Sequence, residues 1–101
     1  MTIHVSDTIS LEFRLTDSKN IIIKPSQVSA SLFIRQPVTG TVVEKTLSSL
    51  DPIVDEWFVY KTQVNDFVEA GIVSLQIKIL SGTNQNRSEI IKMIVGEKLD
   101  A

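Results

Sequence analysis

The chain offers few side chains that can do chemistry. His4 is its single histidine, and there are no cysteines. Thiolate nucleophiles, disulfides, cysteine-based zinc sites and paired-histidine sites are therefore excluded by residue count. A Ser–His–Asp relay would have to run through His4, and no serine sits in a strand–turn–helix setting that resembles a nucleophile elbow. The four glycines, Gly40, Gly71, Gly82 and Gly96, are scattered. None belongs to a glycine-rich phosphate loop. The reading is a chain with no catalytic, cofactor-binding or metal-ligating residues, and so not an enzyme.

Two groups still merit weighing. Asp51, Asp55 and Glu56 cluster ahead of Trp57. Their spacing misses the calcium-loop pattern. A glycosidase needs two carboxylates facing each other across a cleft, for which a small domain with a filled core has little room. The plain reading is solvated turn charges. Trp57 and Tyr60, with Asp55 and Glu56, form a candidate carbohydrate platform. Against this, a lone tryptophan in a small domain more often fills the core or a subunit contact. The basic pairs Lys19 with Lys24 and Arg87 with Lys92 make no stripe of the kind nucleic-acid binding needs. The formal net charge of −2 supplies no pull toward nucleic acid or acidic membranes.

The elements that must position these residues read as strands. From Thr8 to Thr16, Ile9, Leu11, Phe13 and Leu15 alternate with polar partners, which predicts a half-buried strand. Asp17 to Asn20 is a polar turn. Pro25 ends the short run Ile21–Ile23 or places it at an edge. Val28, Ala30, Leu32 and Ile34 share one side of the next strand, opposite Ser29, Ser31, Phe33 and Arg35. The segment 36–40 turns the chain into a return strand over 41–47, whose charges suit an edge. Residues 48–52 read as a loop. Trp57 to Val64 forms a strand with bulk on both faces, either central or lining an interface. Asn65 to Gly71 reads as one helical turn, capped by Asn65 or Asp66 and ended by Gly71, with Phe67 pinning it to a sheet end. Val73, Leu75, Ile77 and Ile79 face inward on a further strand. Residues 81–88 read as a polar hairpin loop, and 89–95 as the last strand.

Length and composition agree with this reading. With 101 residues, 43% apolar and 22% charged, the chain fits one domain that buries roughly 60–65% of its unfolded surface. Residues 1–96 form the domain and 97–101 a charged tail, in which Leu99 is a candidate docking residue. The segment Met1–Val5 lacks the pattern of a signal peptide, and no apolar run approaches the roughly 20 residues of a membrane span. The expected fold is an all-β, antiparallel sandwich of six to seven strands with one short helical turn.

The segments Ser6–Asp17, Val28–Arg35, Phe67–Ile79 and Ile90–Val95, with the turn at Gly40, resemble the immunoglobulin-like domain of tailed-phage baseplate and receptor-binding proteins. The match includes the N-terminal domain of upper-baseplate proteins. The chain departs from that pattern at Asp55-Glu56, where a turn glycine is usual, and at Ile72-Val73, where a tyrosine commonly follows the glycine. The resemblance implies a virion structural module of the tail or baseplate, assembled in the host cytoplasm and bound to other virion proteins, with no catalytic residues. On this reading the chain is a homo-oligomer with neither nucleic acid nor membrane as partner. The candidate contact residues are Phe33, Phe58, Tyr60, Ile90 and Ile94, because apolar side chains exposed on a sheet are useful once covered. The alternative is a carbohydrate-binding or adhesin-type module using Trp57, Tyr60, Asp55 and Glu56.

Overall fold

Strict alternation of apolar and polar residues leaves an extended chain with one dry face, and that face must be covered by another sheet. In the computed structural model, which describes residues 3–99, nine strands do this. They are β1 (Ile3–His4), β2 (Ser10–Phe13), β3 (Ser29–Arg35), β4 (Val42–Thr46), β5 (Ser48–Ser49), β6 (Phe58–Lys61), β7 (Gly71–Ser81), β8 (Asn84–Arg87) and β9 (Ile91–Gly96). A six-stranded sheet has the order β1-β9-β7-β3-β4, with β8 also paired to β7. A three-stranded sheet has the order β2-β6-β5. All pairings are antiparallel except β1 with β9. The result is a mostly-β, two-sheet domain consistent with an immunoglobulin-like sandwich.

Register brings the expected apolar rows together. On the β3–β7 pair, Leu32 stands opposite Ile77, Ile34 opposite Leu75 and Ala30 opposite Ile79. Directly opposed residues share a face, so each pair enters the core side by side. Leu32, Ile34, Val73, Leu75 and Ile77 are fully buried. Leu11, Phe58, Phe67 and Val95 complete the same cluster, with Ile9, Phe13 and Leu15 packed against it. Phe13 is only half-buried. Its truncation is therefore expected to cost less than the 3–5 kcal/mol or so of a fully buried ring.

Four expectations change. The helical turn lies at Pro25–Gln27, where proline's fixed φ opens a 3-10 turn. Residues 65–71 form no helix; Asp66 uses its carboxylate on Gln63 N at 2.8 Å, which closes a tight turn instead. Residues 48–52 are not all loop, because Ser48 and Ser49 pair with Val59 and Phe58. The polar stretch 81–88 is paired over most of its length, with Ser81 opposite Asn84 and Lys78 opposite Arg87. Gly82 has φ +60° and opens the two-residue turn that joins these strands. The new strands β5 and β8 were illegible because two or four polar residues carry no burial signal. Phe58 also moves: it is 1% exposed, a core ring rather than an interface contact.

The expected edge character of 41–47 is seen in β4, which ends its sheet. Lys45 lies opposite buried Leu32, so a charge points inward from the edge, a device that discourages further pairing. Gly71 starts β7 with φ +133°, and a Cβ placed there would meet Pro37 Cβ at 2.9 Å. Gly71→Ala is expected to destabilise the domain by about 1–3 kcal/mol through backbone strain and this contact. A chemical-denaturation midpoint unchanged from wild type would contradict that assignment. Leu99 is 97% exposed and does not dock, and Asp100 and Ala101, the end of the expected tail, lie outside the described residues.

Candidate binding surface

The same alternation that fills the core builds a second face outside it. On β3 the outward residues are Ser29, Ser31, Phe33 and Arg35; on β7 they are Ile72, Ser74, Gln76, Lys78 and Leu80. Cross-strand register arranges these into rows. Ile94 stands beside Ile72, and Lys92 beside Ser74. Ser74 stands beside Arg35, Gln76 beside Phe33, and Lys78 beside Ser31. Arg35 faces Val42 and Phe33 faces Glu44 on β4, while Arg87 on β8 faces Lys78. Ile94 is 75% exposed and Ile72 55%. Ile90, Val42 and Leu80 are also exposed.

Four cations, Arg35, Lys78, Arg87 and Lys92, thus share this face, and Glu44 is the one carboxylate among its strand positions. Lys78 Nζ sits 3.3 Å from Glu44 Oε2 and 5.3 Å from the centroid of the Phe33 ring, within cation–π range. Hydrogen bonding from Ser31 and then from Lys78 holds the Glu44 carboxyl below its ordinary range. Between these groups lies an open groove of about 240 Å³ lined by Phe33, Arg35, Val42, Gln76, Arg87 and Ile90. Arg87 and Lys92 join Arg35 and Lys78 because β7 lies beside β3, β8 and β9, an adjacency that chain order does not reveal.

The candidate contact residues divide. Phe33, Ile90 and Ile94 lie on or beside this face. Phe58 is in the core, and Tyr60 packs against that core from the inner side of β6. Arg35, Val42 and Ile72 were missed. The outward phase of Arg35 and Ile72 was readable in the sequence, that of Val42 was left open, and the neighbours of all three were not legible.

The carbohydrate platform does not assemble. Phe58 and Tyr60 share the inner face of β6 and pack into or against the core, whereas Trp57 precedes the strand and is 37% exposed. The Asp55 carboxylate accepts hydrogen bonds from Ser26 N and Ser26 Oγ. That bonding, chiefly from the Ser26 hydroxyl, lowers its pKa and ties down a residue at φ +54°. Glu56 is half-buried. Among the described residues no group of three or more His, Cys, Asp or Glu side chains could hold a metal ion, and no helix is long and apolar enough to cross a membrane. His4 Nδ1 lies 3.6 Å from Asp7 Oδ2, and its ring lies against Gly96.

The most concentrated electrostatics belong to a buried polar cluster that joins the two sheets. Asp66, 2% exposed, accepts from the Tyr60 hydroxyl at 2.6 Å and lies 3.5 Å from Lys45 Nζ. Gln36 Nε2 donates to the Asp66 carbonyl at 2.7 Å. Desolvation, and then the hydrogen bond and charge of Asp66, push the Tyr60 phenol well above its ordinary value near 10. A raised folded-state pKa contributes stability that is complete below the unfolded value and lost as pH climbs past it. Stability is therefore expected to fall above about pH 10, and Tyr60→Phe to flatten that loss. Urea midpoints for both proteins on either side of that pH check it, and equal alkaline slopes would refute it.

Taken together, these features define a two-layer β domain whose distinguishing surface is one mixed cationic and aliphatic sheet face. No protein-family model and no curated protein matches the chain.

Proposed function

We propose that the domain is a non-catalytic assembly module that works by protein–protein contact through the outer face of its six-stranded sheet. The setting the sequence resemblance implies is a tailed-phage virion, in the tail or baseplate. The supporting observation is the grouping of Ile72, Ile90 and Ile94, all more than half exposed, with Arg35, Lys78, Arg87 and Lys92 on a single face. Aliphatic groups left in water gain by being covered, and a cationic margin selects a partner of opposite charge. The sugar-binding reading has weaker support, since Tyr60 packs against the core while Trp57, ahead of β6, is 37% exposed.

The reading is tested in particles. The wild-type chain is expected to co-purify with assembled virions of its source in fixed stoichiometry by quantitative mass spectrometry. The Ile72→Asp/Ile94→Asp variant alters exposed positions only, and is expected to fold but to remain in the unassembled fraction. Absence of the wild-type chain from particles, or normal incorporation of the variant, would overturn the proposal.

A further inference from the structure

The cationic groove has a counterpart of opposite charge elsewhere on the same molecule. The segment joining β5 to β6 closes on itself through Leu50 N to Trp57 O at 3.0 Å and Asp55 N to Asp51 O at 2.8 Å. Its tip carries Ile53, 93% exposed, and Val54, 53% exposed. Around that tip stand Asp51, Asp55 and Glu56, with no lysine or arginine between Lys45 and Lys61. Asp51 Oδ1 accepts from Ile53 N at 2.9 Å, and Ser26 anchors Asp55. The tip is thus a preorganised acidic knob with an aliphatic end, which lowers the entropy cost of docking it.

The groove offers the converse. Phe33, Val42 and Ile90 supply an apolar floor and wall, and Arg35 and Arg87 stand at its sides. Its volume of about 240 Å³ accommodates branched aliphatic side chains. The knob belongs to the three-stranded sheet and is tied by Ser26 to the segment before β3. The groove lies on the outer face of the other sheet. One chain therefore does not bring its own knob into its own groove.

We infer that the occupant of the groove is the 51–56 knob of a second copy of this chain. Ile53 inserts against Phe33 and Ile90, and Asp51 and Glu56 meet Arg35 and Arg87. Because knob and groove are different surfaces, the contact is head-to-tail. Each added copy leaves one knob and one groove free, and growth ends only if the rotation closes a ring. This inference rests on the assembly reading and specifies one contact within it.

The test uses the full chain and two variants at exposed positions. Ile53→Asp removes the knob's end, and Arg35→Glu/Arg87→Glu reverses the groove. Sedimentation velocity from micromolar to millimolar concentration is expected to show wild-type self-association that weakens with added salt. Each variant alone is expected to associate roughly tenfold or more weakly, with unchanged circular dichroism and melting temperature. An equimolar mixture of the two is expected to restore a dimer and nothing larger, because it contains one intact groove type and one intact knob type that can meet only across the pair. Three results would overturn the inference: a monomeric wild type throughout, a mixture that fails to dimerise, or an Ile53→Asp protein that associates like wild type. Failure here with wild-type chain still present in purified particles would remove the head-to-tail contact and leave the assembly proposal standing.

Discussion

Replacing Phe58 with alanine is expected to cost about 3–5 kcal/mol, the range for a fully buried aromatic ring whose loss leaves a cavity. Phe58 is 1% exposed and stands opposite Phe13 on β2 and Ser49 on β5. It is thus the ring the central strand of the small sheet presses into the core. A domain of this size has only about 5–15 kcal/mol of stability in total, so the variant is expected to lie at the margin of folding at body temperature. Phe33→Ala is the control. Phe33 is half-buried on the outer face, and its loss is expected to cost clearly less than that of the fully buried Phe58. Urea denaturation of the two variants side by side decides the matter. Similar midpoints would mean that the faces of β6 or β3 are wrongly assigned, and the sandwich with them.

The second large effect is expected at Asp66. Its carboxylate takes the Tyr60 hydroxyl at 2.6 Å and the Gln63 amide at 2.8 Å, and pairs with Lys45 at 3.5 Å. Asp66→Ala strips all three groups of their acceptor at once. Lys45 is partly exposed and recovers solvation, so most of the penalty falls on the phenol and the amide. Charge-assisted hydrogen bonds of this kind contribute about 1.5–3 kcal/mol each in net terms, and their losses within one cluster are not additive. The expected cost is about 2–4 kcal/mol. Tyr60→Phe removes one member alone and is expected to cost about 1–2 kcal/mol. The double variant separates coupling from addition: if Asp66 acts through Tyr60, Asp66→Ala/Tyr60→Phe costs clearly less than the sum of the singles. Strict additivity would mean that the Tyr60–Asp66 hydrogen bond contributes nothing of its own.

These two sites show how differently the parts of the molecule could be read. Phe58 was visible as bulk on a strand, but the strand Trp57-Phe58-Val59-Tyr60 alternates large residues with large residues. Periodicity alone could not choose which pair faces inward. The choice is made by β2, whose clean pattern places Phe13 opposite Phe58. Asp66 had the look of a helix cap, because Asx residues close turns of several kinds with the same side-chain-to-backbone bond. Its partners Lys45, Gln36 and Tyr60 come from three other segments, and no local pattern points to them.

In the cleanly alternating segments, the sequence by itself determined which residues are dry. Over 9–15, 28–35 and 73–79 the side-chain phase is fixed by chain geometry, since neighbouring residues in a strand point to opposite faces whatever they pair with. The core rows of β3 and β7 followed from that alone; the edge character of β4 came from its charges and the turn at Gly40 from turn residues. Strand order and register were decided only in the folded molecule. Pairing depends on which rows meet across long loops: β3 pairs with β7, some forty residues further along the chain, and β1 with β9 at the far end. The cationic aliphatic face is a product of that second step. Arg35, Lys78, Arg87 and Lys92 belong to four strands, and only the placement of β8 and β9 around β7 and β3 puts their charges on one surface.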